Sequence, residues 1–445
     1  MKPEIILPPY IRKTLDLLAS ENHQAYLVGG CLRDYFLGLT PHDYDIATDA
    51  TAEEVEAICK KHGSPFYKRM NKNFTTALLI YGRNETVEVT SFTAPKIGEP
   101  VPKDFKEDLI ARDFTINTMA LDHEGNLVDC FNGLSDLKSG ILKTPIDPNI
   151  TLTHDPLRML RYYRFLNLPN MKTNPEIEEV IRKNASLLSL VSKGRINHEM
   201  ERLLHENQNV LETLDNNGLL EYACPAAYDI KSRNQEAFRK TLRTIRYLTQ
   251  SFHSDKDDLY LATMSILFHD AVREIEKTKL PQSEIDKTAL SGIARIALNA
   301  YLNDTIFEPD RRKIVKILVL FHDMEVKNTK GFYNDIINGR HQNSRARFYL
   351  MKAIRAAVLK AEDCPKKETD RQMAIYDTLI AKIKPIPFNF LSINGDDIKK
   401  ALNLESSEQI GTIKAELYQA IIDGLVSNKK VKLIQYLKKN YLPKS

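Results

Sequence analysis

Apolar positions in the first 145 or so residues fall into short runs, and from Asp155 onward they recur at the spacing of helix faces. Ala25 to Val28, Thr76 to Tyr81 and Thr86 to Ser91 read as strands with helices between them. In the last run Val87 and Val89 flank Glu88, so the glutamate side chain points to the opposite face of the strand. A small mixed sheet with helices against it is therefore predicted at the front of the chain. The remainder is predicted to be nearly all helical, with breaks at Pro225, Pro281, Pro309, Pro365 and the Lys384 to Pro387 stretch. The fold class expected is α+β. Neither a short-period repeat nor a low-complexity tract interrupts this pattern.

Composition adds bounds. At 445 residues the chain has room for several domains, and 42% apolar with 27% charged residues is the balance of a globular protein, which excludes a disordered one. A net charge of +4 permits a polyanionic partner without requiring one. The five cysteines form no Cys-x-x-Cys pair, and their odd number argues against a secreted disulfide framework. Met1-Lys2-Pro3-Glu4 lacks a signal-peptide pattern, and no apolar run reaches membrane-spanning length, so a cytoplasmic enzyme with no membrane partner is expected.

Candidate chemistry concentrates between Leu27 and Asp45. After the buried strand ending at Val28, Gly29 and Gly30 let the backbone approach a ligand before a helix from Cys31, whose first amides face an anion. Gly38 stands where that helix should close. Asp43 and Asp45 are two apart on the next extended segment, so both face one side while Tyr44 faces the other. Two such carboxylates suit magnesium, which is commonly held by one or two carboxylates together with substrate phosphates; a pair of ions can hold both the attacking and the leaving oxygen of an in-line displacement. Either motif alone is common in loops and surface turns. Their order and spacing carry the information.

The run from Leu27 to Asp45 resembles the first motif of the bacterial tRNA nucleotidyltransferases that build the 3′ CCA end, members of the DNA polymerase beta-like superfamily and relatives of bacterial poly(A) polymerases. Further matches follow in that family's order over roughly the first 205 residues: Val87 to Phe92, Glu107 to Asn117, Val128 to Gly133, Asp155 to Phe165 and Arg195 to Glu199. The resemblance implies a polymerase beta-like head over residues 1–149, a helical neck that recognises the nucleobase over 150–205, a helical body over 206–370 and a helical, tRNA-binding tail over 371–445. It implies magnesium as cofactor, CTP and ATP as substrates and the tRNA acceptor arm as partner; oligomeric state is left open.

The resemblance also distributes roles. Asp43 and Asp45 are the expected metal ligands, and Glu88 is placed near them, its alternative being an exposed strand residue. Gly29, Gly30 and Arg33 would meet the triphosphate, with Asp34 orienting Arg33 or pairing with its neighbours. Arg112, Asp113 and Asn117, expected in a helix running to Leu121, would meet ribose and phosphates; a plain Asp108–Arg112 pair one turn apart is the alternative for the arginine. Asp155 is expected to cap a helix with Pro156 in its first turn and Arg158, Arg161 and Arg164 along one side, where the three arginines would meet the nucleotide. Asp155 and Arg158 would read the base: a carboxylate accepts from the exocyclic amine shared by cytosine and adenine, and an arginine donates to ring nitrogen or carbonyl oxygen. The bland alternative is a capped helix with a salt-bridged surface.

Several positions depart from the family. Ala111 replaces the first of two arginines, and His154 and Gly194 stand where glutamates are usual. The segment from Thr93 to Phe105 is shorter than in full CCA-adding relatives and lacks their arginine pair, as in relatives that add only the two cytidines. In the body, Ala237 to Arg246, Leu267 to Asp270 and Leu320 to Met324 resemble an HD phosphohydrolase-type domain, but Lys240 takes the place of its first histidine, which makes hydrolysis improbable and His269 and His322 buried hydrogen-bonding residues. Lys429, Lys430, Lys432, Lys438 and Lys439 make the last helix basic, as a solvated face or a phosphate-tracking surface. Two rivals to CCA addition remain: a poly(A) polymerase with the same head, and a noncatalytic RNA-binding descendant.

Overall fold

The strands of the computed structural model form one seven-stranded sheet in the order β3-β4-β5-β2-β1-β6-β7. The structure describes residues 5–441 apart from 42, 64, 70–75, 83–84, 93–103, 208, 253–255, 286–289, 322–343, 383–390, 403–408, 423–425 and 427–429. The predicted strands are present as β1 (Ala25–Val28), β4 (Thr76–Gly82) and β5 (Glu85–Ser91). They are joined by β2 (Asp45–Thr48), β3 (Phe66–Arg69), β6 (Ala120–Asp122) and β7 (Leu127–Val128). β2 runs parallel to β5 and antiparallel to β1, so the sheet is mixed as expected. The register sets Asp45 between Val28 on one side and Glu88 on the other.

The period of two sorts the faces. Leu27, Ile46, Val87 and Val89, all buried, point to one side, where α1 (Pro9–Ser20) and α3 (Ala52–His62) pack. Thr51 and Glu54 cap α3 reciprocally, and Gly63 ends it in the left-handed conformation. Tyr26, Val28, Ala47, Asp45 and Glu88 share the other face by register. On it lies α4 (Phe105–Ile110), held by Phe105, whose ring stacks on Tyr26 at 3.8 Å and touches Phe92 at 5.3 Å. This short helix covers part of the face and leaves the Asp45 end open.

The segment after α4 departs from expectation. No helix runs from Arg112 to Leu121: a single 3₁₀ turn spans Thr115–Asn117, and β6 follows at Ala120. Pairing of β6 with β1 demands extended backbone there, and Asp113 turns its side chain to the amide of Phe114, a local bond that competes with helix. The turn is fastened by the Thr115 hydroxyl, which donates to Asp136 at 2.8 Å, and by the amide of Thr115 on the carbonyl of Lys143.

Helices follow: α5 (Gly133–Ser139) and α6 (Pro148–His154), then, in the stretch predicted to be helical, α7 (Leu157–Phe165), α8 (Pro175–Asn184) and α9 (Lys193–Glu206). Asp155 stands between α6 and α7 and accepts from the amide of Leu157 at 3.3 Å, with Pro156 immediately ahead of α7, so the expected cap is found within a residue. The chain divides into two compact units, Met1–Pro225 and Ala226–Ser445. The whole sheet lies in the first; the described elements of the second are all helices. Within the second, helices Gly395–Leu402, Ile410–Ile422 and Lys430–Tyr441 share a small core of Ile398, Leu417, Leu433 and Leu437. The Lys384–Pro387 break lies outside the described residues. Among the described residues no helix is long and apolar enough to cross a membrane.

Gly133 tests how tightly the 3₁₀ turn is held. A Cβ there would lie 2.2 Å from the carbonyl oxygen of Thr115, a backbone atom that cannot swing away. Gly133→Ala is expected to lower stability by about 2–3 kcal/mol. Chemical denaturation of the two proteins checks it, and an unchanged midpoint would mean that the turn yields freely.

Candidate active site

Asp45 opens β2 at the uncovered end of the sheet, and Glu88 is its register partner on β5. Neighbouring residues on adjacent strands point the same way, so the two carboxylates share one side of a cleft of about 220 Å³. Asp108 and Arg112 line the same cleft. Arg112 donates from Nε and Nη2 to Asp108, at 3.2 and 2.9 Å, and Asp108 is buried. The Asp108–Arg112 pair is therefore real, and it also holds the guanidinium toward the acids. A Cβ built on Gly29 would lie 3.5 Å from Asp45 Oδ2 and 3.8 Å from Arg112 Nη1. Gly29 has φ +86°, open to glycine and strained for other residues, so its bare backbone forms a cradle between acid and guanidinium.

Electrostatics follow from that crowding. Burial, then the nearby charges of Glu88 and Asp43, push the Asp45 carboxyl from 3.8 up to about 6, with Arg112 opposing them. Asp43 itself is exposed, just ahead of β2. The donors suit a hard divalent cation, since hard carboxylate oxygens meet at a cradle that a side chain on Gly29 would fill. Among the described residues no three His, Cys, Asp or Glu side chains meet closely enough to form a complete ligand set. A cation there would draw its remaining oxygens from phosphate or water, as the two-carboxylate expectation requires.

Beside the cleft, Arg33 on α2 (Gly30–Phe36) lies against Gly30, where a Cβ would come 3.1 Å from its Nη2. Asp34 pairs with Arg33 itself, at 2.7 Å, and Arg33 Nη1 donates to Asn117 Oδ1 at 2.8 Å. Asn117 in turn donates to Asp113 Oδ1 at 2.9 Å. Asp113 is buried and accepts from Arg161 Nη2 at 2.6 Å. Burial works to raise its pKa, but Arg161, Asn117 and the Phe114 amide outweigh it and hold the group below the usual carboxylate range. Asp113 thus meets protein donors in the place where a ribose contact was expected.

On α7, Arg158 donates to the carbonyls of Thr151, at 3.2 Å, and of Ala111. Its burial pulls the guanidinium below its usual pKa. Arg161 is committed to Asp113, and Arg164 to Glu199, itself buried. Arg195 Nη2 donates to Asp155 Oδ2 at 2.8 Å. Gly29, Gly30, Arg33, Asp45, Glu88 and Arg112 thus surround the cleft or adjoin it, whereas Asn117, Asp113 and Arg161 form a bonded chain that starts at Arg33, and Arg164 forms a separate pair with Glu199. Sequence reasoning had no role for Arg195, Glu199 or Phe165, although all three lie inside motifs it singled out.

Other expectations fall in the second unit. Lys240 pairs with Glu362 at 2.6 Å, and His269 is buried with Nδ1 2.9 Å from Asp270 Oδ1, the hydrogen-bonding role expected of it. His322, the Leu320 to Met324 match beyond Phe321, and the shortened segment up to 103 lie outside the described residues. Lys430 pairs with Asp397 at 2.7 Å, while Lys432, Lys438 and Lys439 are exposed on the last helix.

Comparison with known proteins agrees with this geometry. Residues 25–143 match the family described as poly A polymerase head domain, and residues 170–230 match that described as probable RNA and SrmB- binding site of polymerase A. The CCA-adding enzyme of Bacillus subtilis is 28% identical over 439 residues, 95% of this chain and 96% of that protein. The CCA-adding enzyme of Bacillus licheniformis is 38% identical over 195 residues, 42% of this chain and 48% of its own length, so this stronger likeness spans about half of that relative. Among solved structures, the Bacillus stearothermophilus CCA-adding enzyme in complex with CTP shares the fold, with a TM-score of 0.58 and 21% identity over 97% of this chain and 98% of that one.

The raised pKa of Asp45 has a sign that can be tested without divalent ions. Its folded value, about 6, exceeds the 3.8 of an open chain, so the ionised group destabilises the folded protein fully above about 6. The penalty fades as pH falls through that value and is gone below 3.8. Asp45→Asn is expected to raise the unfolding free energy in chelator at pH 8 by on the order of 1–2 kcal/mol after screening, and to leave it unchanged at pH 3.5. Equal effects at both pH values would show that the fold does not hold the Asp45 carboxyl above its ordinary pKa.

Proposed function

The chain is a relative of the CCA-adding enzymes and poly(A) polymerases, and on that footing we propose that it transfers nucleotidyl groups from CTP and ATP to the 3′ end of tRNA without a template. The tRNA 3′ hydroxyl gives up its proton to solvent as its oxygen bonds the α phosphorus, the bond from that phosphorus to the α–β bridging oxygen breaks and pyrophosphate leaves. One observation carries the reading: the Asp45–Glu88 register pair and Arg112 line one cleft, with the bare backbone of Gly29 between Asp45 and Arg112, so acids and a guanidinium meet where a metal-bound phosphate would need both.

In this reading Asp43 and Asp45, with Glu88 beside them, would hold magnesium, which would lower the pKa of the attacking hydroxyl and offset charge building on the phosphate. Arg112 and Arg33 take the triphosphate and sugar; Arg112 gains most, because its Asp108 partner aims it into the cleft. Gly29 and Gly30 let phosphate oxygens reach the backbone. Asp155 and Arg158 read the exocyclic amine and adjacent ring acceptor of the base, with Arg195 fixing the carboxylate and the Thr151 and Ala111 carbonyls fixing the guanidinium. Residues 1–149 act as head and 150–205 as neck, while the helices of 206–370 and 371–445 follow the acceptor arm by shape and phosphate contacts. The setting is cytoplasmic.

The shortened segment between Thr93 and Phe105 favours a second reading, addition of the two cytidines alone. Incubation with tRNAs ending at the discriminator base, after one C and after two, with CTP and ATP apart and together, separates the readings. CCA addition gives incorporation at every stage; CC addition stops before ATP is used; a poly(A) polymerase extends unrelated RNA with ATP. Absence of any incorporation rejects the transferase.

Asp43→Ala is expected to lower incorporation by at least about 1000-fold, since it removes a ligand from the only carboxylate pair the reading assigns to metal. Binding of tRNA, followed by gel shift, should survive. Incorporation near the normal rate would remove Asp43 from the mechanism.

A further inference from the structure

Phe165, the last residue of α7, is 2% exposed, yet its ring is bordered by charge. The guanidinium carbons of Arg33, Arg161 and Arg164 lie 5.1, 5.3 and 4.4 Å from its centroid. Phe114 meets the same ring edge-on at 5.6 Å. Contact with Arg164 follows from adjacency in sequence, but Arg33 arrives from α2, more than 130 positions away, and Arg161 from one turn back on α7. Each arginine also has its own acid: Asp34 for Arg33, Asp113 for Arg161 and Glu199 for Arg164.

The polar bonds and the ring close a circuit. Arg33 donates to Asn117, Asn117 donates to Asp113, and Arg161 donates to Asp113. Phe165 completes the loop by touching both arginines. Guanidiniums this close repel one another, and the negative faces of an aromatic ring attract cations, so the ring lets the like charges share a small volume. An aliphatic side chain would fill the space without supplying that field. A phenylalanine serving only as core filler would be ringed by apolar atoms.

We propose that Phe165 is a positioning residue for nucleotide binding, holding Arg33 and Arg161 at a fixed separation so that the phosphate side of the pocket stays in register with the base-reading start of α7. The inference rests on the transferase reading. Phe165 touches neither phosphate nor base; it acts through Arg33 at one end and through the helix carrying Arg158 at the other. Losing the ring leaves Arg33 with Asp34 and Asn117 but removes the surface its guanidinium lies against and the field that offsets Arg161, so Arg33 and its partners shift relative to α7 and the phosphate contact weakens more than folding does.

Phe165→Leu and Phe165→Met keep apolar bulk and remove the π face, whereas Phe165→Tyr keeps the face. Equilibrium CTP binding, KM and kcat for incorporation, and thermal midpoints should be measured for all three; if Leu fails to fold, Met and Tyr still make the comparison. Expected is a rise of about tenfold in the CTP dissociation constant and KM for Leu and Met, with kcat changed less, and a value within about threefold of the parent for Tyr. Unchanged CTP binding in Leu and Met despite lowered midpoints would overturn the proposal and leave the transferase intact. Equal losses in all three variants would also overturn it, since the face would then be irrelevant. A parent protein that binds no CTP would sink both readings.

Discussion

The parallel pairing of β2 with β5 is the constraint on which the site depends. It sets Asp45 beside Glu88 with no intervening residue, on the one face of the sheet that α4 covers incompletely. Burial makes ionisation of Asp45 costly, and repulsion from Glu88 adds to it, which is why Asp45 rises to about 6. The fold tolerates the arrangement because Asp45 begins its strand, leaving the rest of β2, Ile46 to Thr48, buried among neighbours on both sides. Stability comes from that apolar interior and from the Tyr26–Phe105 stack, and the acids sit at its margin.

A second layer solves a different problem, that of placing several arginines close together out of water. Asp108, Asp113 and Glu199 are each buried and each bound by one arginine, so no described member of this set is a bare interior charge. Such pairs contribute little net stability, because desolvation offsets most of the attraction. What they do supply is direction: a guanidinium fixed along one edge has its other edge aimed. Arg112 is held by Asp108 and faces the acid cleft, and Arg158 is held by two carbonyls beside Asp155. The 3₁₀ turn at Thr115–Asn117 is central to this layer, since Asn117 at its end reaches Arg33 while Asp113, two residues ahead of it, reaches Arg161.

Much of this was legible from residues alone, for definable reasons. Strands β1, β4 and β5 carry strong apolar runs, and the order of diglycine, helix and alternating aspartates survives without any tertiary information. The Arg112–Leu121 stretch was misread because the helix came with the motif's resemblance and not from spacing, while the deciding facts are nonlocal: β6 must pair with β1, and Gly133 packs against Thr115. Arg161 and Arg164 were assigned to nucleotide because they recur with Arg158 on one helix side; burial of Asp113 and Glu199 opposite them, invisible in sequence, turns them inward. Phe165 looked like an ordinary apolar helix residue because nothing local marks a ring that borders three cations.

The three departures from the family bear unequally on whether the chain is an enzyme. Ala111 contributes its carbonyl to Arg158, a bond any residue can make, so loss of the arginine side chain leaves that anchor in place. His154 is exposed at the end of α6, and Gly194 lies in the first turn of α9, immediately before the Arg195 that binds Asp155. None of these positions touches the pairing of Asp45 with Glu88. A chain with no use for a cation gains stability by replacing Asp45 with a neutral residue, because the ionised acid opposes folding at neutral pH. Holding a strained carboxylate at the open end of a buried strand, with a guanidinium aimed at it and glycine cleared beneath it, makes sense for a site that binds charge in order to move it. That physical asymmetry favours a working transferase over a noncatalytic descendant.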